Sequence, residues 1–117
     1  MAVKYLSFYG LVFFPVEPEL SRLKSRLTRD VLWIYLLSVL KEKPMHAYAL
    51  RREILERFGF QPGNVTAYVV LYKLQSRGFV SSATDGNRKT YRITRKGLEL
   101  FGKARELLRE TEKKLFS

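Results

Sequence analysis

Residues 64–97 read NVTAYVVLYKLQSRGFVSSATDGNRKTYRITRKG, and the order of patterns within them decides what kind of domain this chain forms. Over the first part, Ala67, Leu71 and Leu74 recur at spacings of four and three, which predicts a helix with one buried stripe. Asn64 is suited to cap its start and Gly78 to stop it. Two β-prone runs, FVSSAT and RKTYRIT, then flank Asp-Gly, a strong hairpin signal. Tyr91 and Ile93 alternate with Thr90 and Arg92, so one face of the second strand can be buried. Thr94 stands where a cap is needed for a further helix running nearly to Ser117, about 33 Å long if continuous.

Upstream, HAYALRREILERFG places Ala47, Leu50, Ile54 and Phe58 on one helical face between the break at Pro44 and the stop at Gly59. Before it, TRDVLWIYLLSVLK, from Thr28 to about Lys41, opens with Thr28 as a candidate cap and is apolar almost all round. Such a helix is covered on more than one side. Downstream, the last helix repeats Phe101, Ala104, Leu108, Thr111 and Leu115 by threes and fours, a coiled-coil-like seam widened by Leu100 and Leu107. That seam needs a partner, and a second copy of the chain can supply it.

The order helix, helix, helix, hairpin, long helix is the layout of a winged helix-turn-helix: mainly α with a small β-hairpin, plus a long C-terminal dimerisation helix. The chain divides accordingly into an N-terminal extension (1–27), a winged-helix domain (28–94) and a dimerisation helix (95–117). At 117 residues it has room for one core. The extension is open between a strand, a short helix and a dimer-wrapping arm.

Charge narrows the function. Lys and Arg number 22 against 11 Asp and Glu, a net charge of +11 and a pI near 10.1, which points to a polyanionic partner. Between Asn64 and Gly97 stand seven basic residues (Lys73, Arg77, Arg88, Lys89, Arg92, Arg95, Lys96) and one acid, Asp85, so this third of the chain holds more than half of the excess. Zero cysteines and the single His46 remove thiol chemistry and zinc clusters. No Gly-rich phosphate loop or nucleophile triad occurs, and neither an enzyme nor a cofactor is expected. No uncharged run is long enough to span a bilayer; the one from Tyr5 to Val16 has 12 residues, and no small-residue cleavage pattern comes after it. No membrane partner and a cytoplasmic location are expected.

On the helical wheel of the third helix, Val65, Val69, Tyr72 and Ser76 lie opposite the core stripe, with Thr66, Lys73 and Arg77 along one flank. Valine and threonine methyls can meet thymine methyls, Lys73 can reach guanine or phosphate, and Tyr68 and Tyr72 can bond phosphate oxygens. The other reading of this face is packing against the N-terminal segment or a neighbouring subunit. A winged-helix module for protein contacts or RNA is the rival function.

Tyr68-x-x-Leu71-x-x-Leu74-x-x-x-Gly78 followed by Arg88-Lys89-x-Tyr91-x-Ile93-Thr94-x-x-Gly97 is similar to the signatures of the PadR-like transcriptional regulators. The family's Gly-Tyr pair on the second helix is here Ala47-Tyr48. The resemblance covers residues 28 to about 117 and implies a homodimeric repressor of double-stranded DNA. It makes Tyr68 a DNA-contacting tyrosine and Arg88 and Lys89 wing contacts. It also leaves room for a small flat aromatic effector near the first helix and Trp33. The candidate DNA contacts are therefore Asn64, Thr66, Tyr68, Val69, Tyr72, Lys73, Arg77, Arg88 and Lys89. The candidate dimer contacts are Trp33, Phe101, Ala104, Leu108 and Leu115.

Other residues have plainer readings. His46 is a solvated residue, a cap or a phosphate contact, and Asp30, Glu53 and Glu56 beside arginines suggest surface ion pairs. Arg22, Lys24, Arg26 and Arg29 are either phosphate contacts or a solvated linker.

Overall fold

The computed structural model describes residues 2–7, 10–15 and 17–117, with side chains from residue 17 onward. An antiparallel hairpin of β1 (Ala2–Ser7) and β2 (Gly10–Pro15) leads into α1 (Pro18–Arg26). The winged-helix unit comes next: α2 (Leu32–Leu40), β3 (Met45–His46), α3 (Ala47–Phe58), α4 (Asn64–Ser76), β4 (Val80–Asp85) and β5 (Arg88–Ile93). The chain ends with α5 (Arg95–Phe116). The extension thus combines two of the forms open to it, strand and short helix.

The centre of the core is α2. Leu36, Leu37 and Val39 are wholly buried, because a helix apolar on nearly every side is surrounded by α3, α4, β5 and α5. From α3 come Ala47, Leu50 and Ile54, and from α4 Ala67, Leu71 and Leu74, the stripes expected from their spacings. Each buried leucine or isoleucine contributes about 1.5–3 kcal/mol, so Leu50, Ile54, Leu71 and Leu74 anchor the unit. Phe58 sits at the rim instead, edge-on to Tyr35 with ring centres 4.9 Å apart. Gly59 ends α3 at φ 78, a left-handed conformation that glycine adopts without cost.

The helix expected from Thr28 is shorter than its pattern. The Thr28 hydroxyl donates to the Lys24 carbonyl at 2.8 Å, closing α1 rather than capping the next helix. A 3-10 turn, Arg29–Val31, intervenes before α2 begins. Asn64 is likewise not a cap. Extended Gly63 occupies the cap position and its carbonyl receives the Ala67 N–H at 2.9 Å, leaving Asn64 as the first helical residue with no side-chain cap bond. Thr94, by contrast, caps α5 as expected, its Oγ1 accepting from the Gly97 N–H at 3.1 Å.

The hairpin is tighter than the runs FVSSAT and RKTYRIT imply, which leave Asp85, Gly86 and Asn87 between them. Asp85 is still paired, opposite Arg88, so the loop is Gly86-Asn87 alone, with Gly86 at φ 64. A positive φ at the first of two loop residues is the type II′ pattern, whose twist suits adjoining strands. The sheet has three strands in the order β3-β5-β4, since Met45 and His46 pair with Tyr91 and Thr90. A two-residue strand has too few positions to show an alternation, so β3 leaves no signal in the sequence.

Candidate nucleic-acid interface

The buried stripe of α4 fixes which way its other residues face. Val65 and Tyr72 are about three-quarters exposed, at 74% and 73%, and Tyr68 and Val69 about half exposed. Thr66 and Lys73 are exposed beside them. The turn before α4 is held by Arg51, whose Nε donates to the Pro62 carbonyl at 3.0 Å. No acid occurs from Asn64 to Thr84, so this face is purely cationic and polar around its apolar patches.

The second arm is the wing, β4–β5. Arg88 and Lys89 lie just past its tip and are exposed. Together with Asn87 they line one side of a cleft of about 300 Å³, whose other walls are Tyr68 of α4 and His46 and Tyr48 at the start of α3. Two features bring these elements together. The His46 backbone pairs with Thr90 of β5, and His46 caps α3, its Nδ1 accepting from the Ala49 N–H at 3.4 Å. Behind the cleft, buried Tyr91 has its hydroxyl pushed above the usual tyrosine range by desolvation, with the neighbouring Tyr68 phenol adding to it. Tyr68 stands beside the wing, in the same cleft as Asn87, Arg88 and Lys89.

Of the sequence candidates, the structure brings Tyr68, Arg88 and Lys89 to this one cleft, and sets Thr66, Val69, Tyr72 and Lys73 on the exposed side of α4. Arg77 lies apart from the cleft, its guanidinium 5.6 Å over the Phe79 ring. Tyr48, 61% exposed, joins the site although it is not among the candidate DNA contacts read from the sequence. Its signals in the sequence are its place in the Ala47-Tyr48 pair and an aromatic residue off the apolar face of its helix. His46 is a cap, one of the readings open for it.

The dimer candidates divide. Phe101 and Leu100 pack on the chain's own core, with the Lys41 ammonium 5.4 Å over the Phe101 ring. Trp33 is also half-buried against that core. Ala104 is half-buried, while Leu107, Leu108, Leu115 and Phe116 are exposed, so the distal half of α5 is left uncovered in the single chain. The acids Asp30, Glu53 and Glu56 are all in ion pairs, with Arg26, Arg57 and Arg52 at 2.7, 3.0 and 3.5 Å. Arg57 also bonds Glu42, whose carboxyl it holds below the usual range through that hydrogen bond. Among the basic residues before α2, Arg26 is in the Asp30 pair and Arg29 lies 5.7 Å over Phe60. No described helix is long and apolar enough to cross a membrane.

Comparison with known proteins agrees with this geometry. A family model described as the transcriptional regulator PadR-like family matches residues 36–103. A transcriptional regulator from Clostridium thermocellum is similar at a TM-score of 0.70 and 23% identity, over 78% of this chain and 95% of the other. A PadR family transcription regulator from Clostridium difficile R20291 is similar at 0.63 and 19%, over 73% and 97%. F93 from STIV, a winged-helix DNA-binding protein, is similar at 0.60 and 23%, over 69% and 89%. No curated protein matches the chain.

Proposed function

This chain belongs to the PadR-like family of transcriptional regulators, and from that premise we propose that it is a sequence-specific repressor binding double-stranded DNA as a homodimer. The observation that supports this most is the acid-free outward face of α4 running into the cationic cleft beside the wing tip. In this reading α4 enters the major groove and the wing lies on the flanking backbone. Lys73 takes a guanine edge or a phosphate, and Thr66 and Val69 meet thymine methyls. Tyr68 and Tyr72 bond phosphates, as do Asn64 and Arg77 at the two ends of the helix, while Arg88 and Lys89 clamp the backbone beside the wing.

Titration of duplex DNA over a series of salt concentrations tests the proposal. About six neutralised phosphates give log affinity a slope near −5 against log salt. Absence of binding at low salt would refute it. In competition between duplex DNA and single-stranded RNA the duplex is expected to win; preference for the RNA would favour the RNA-binding module instead, whose unstacked bases exposed Val69 and Tyr72 would meet.

Dimerisation is proposed through the uncovered half of α5, with Leu108 and Leu115 in the seam and Trp33, Phe101 and Ala104 at its base. Covering four exposed apolar side chains in water supplies the driving force. Light scattering at micromolar concentration is expected to return about twice the chain mass of 13.7 kDa. A single-chain mass would refute the assembly. Two-fold symmetry then sets the two α4 helices about 34 Å apart on a pseudo-palindrome.

A further inference from the structure

The end of α4 and the start of α5 are joined at one small piece of backbone. Gly78 leaves α4 at φ 82 and receives the Thr94 hydroxyl on its carbonyl at 2.6 Å. The Phe79 carbonyl accepts the Thr94 N–H at 3.1 Å, and the first turn of α5 presses against it so closely that Gly97 has no room for a side chain. Two cations converge on this joint. Lys96 Nζ donates to the carbonyl of Arg77, the C-cap residue of α4, at 2.8 Å. It also lies 5.0 Å from the centre of the Phe79 ring, over which the Arg77 guanidinium lies at 5.6 Å.

Like charges sharing one ring repel, so charge pairing does not account for the arrangement. What Lys96 gains is the negative end of the α4 dipole together with a ring face. We propose that Lys96 is a positioning residue: with Phe79 it sets the angle between the DNA-reading helix and the dimerisation helix, and it does not contact phosphate. The sequence counts Lys96 among the cations of the DNA-facing segment, and the structure bends it, still exposed, back onto the α4 terminus. This inference rests on the DNA-binding, dimeric reading above. In that assembly α5 is the fixed frame, and α4, 13 residues long, is a lever attached to it. A change of about 10° at the joint moves the far end of α4 by about 3 Å, close to one base-pair step. The joint therefore selects the spacing of half-sites.

The test uses duplexes recovered from a random pool by the wild-type protein, and versions with the half-site spacing changed by one or two base pairs. Lys96→Met keeps the apolar stem and loses the donor, whereas Lys96→Arg keeps a donor and a cation for the ring. Lys96→Met is expected to bind the selected duplex about fivefold more weakly and to discriminate less between spacings, with the salt slope unchanged, and Lys96→Arg to restore both. A salt slope smaller by about one would make Lys96 a phosphate contact and overturn the proposal. So would a spacing profile identical to wild type, including the case in which only the melting temperature falls. If the wild-type protein binds no duplex, the DNA reading itself fails before any variant is compared, and this inference falls with it.

Discussion

Gly97→Ala is expected to lower the unfolding midpoint by roughly 10–20 °C, equivalent to about 3 kcal/mol, in thermal unfolding followed by circular dichroism. A Cβ at this position would fall 2.1 Å from the Phe79 carbonyl oxygen and 2.8 Å from Ile93 Cγ1. The first neighbour is backbone, held in place by the Thr94 N–H, so it cannot swing away as a side-chain tip could. Helix propensity alone argues for the opposite sign, since alanine inside a helix is favoured over glycine by about 1 kcal/mol. Gly102→Ala, on the same helix with nothing within 4 Å, isolates that term and is expected to raise the midpoint slightly. Equal responses at the two glycines would mean that α5 does not press on Phe79 in this way.

The double variant Lys73→Ala/Arg88→Ala is expected to weaken duplex binding about a hundredfold at low salt, counting roughly a factor of ten for each charge-assisted phosphate contact. The salt slope should become shallower by about two, because two fewer counterions are released on binding. Both side chains are exposed, one on α4 and one on the wing, and neither takes part in core packing. Unchanged thermal stability is therefore expected alongside the lost affinity. Binding that survives both substitutions would remove α4 and the wing from the interface together. The contrast with Lys96→Met is diagnostic: loss of a phosphate contact changes the slope, whereas loss of a positioning contact changes the spacing preference.

How much of the fold is legible in the sequence varies with the range of the interaction involved. Gly59 and Gly78 stop their helices, Thr94 caps α5, and the α3 and α4 core positions obey their spacing. These features depend on residues within a turn or two of each other. Thr28 and Asn64 resemble caps in sequence because each has a cap-forming side chain at a helix boundary, yet a neighbour decides the role. The preceding helix takes the Thr28 hydroxyl, and extended Gly63 takes the cap position. The seam of α5 shows the same limit. Its period predicts one continuous apolar stripe, but Leu100 and Phe101 fold back onto the chain's own core and only the distal positions stay uncovered.

At the candidate site, the sequence by itself determined the chemistry: which cations, tyrosines and small apolar residues α4 and the wing can offer, and on which face, because helical and strand periods are properties of the local backbone. Tertiary structure alone decided which of them meet. His46 pairs with Thr90 of β5, far along the chain, to bring Tyr48 beside Arg88, and Lys96 reaches back to Arg77 at the end of another helix. Such contacts join elements whose separation depends on packing around α2, and no local period encodes that distance.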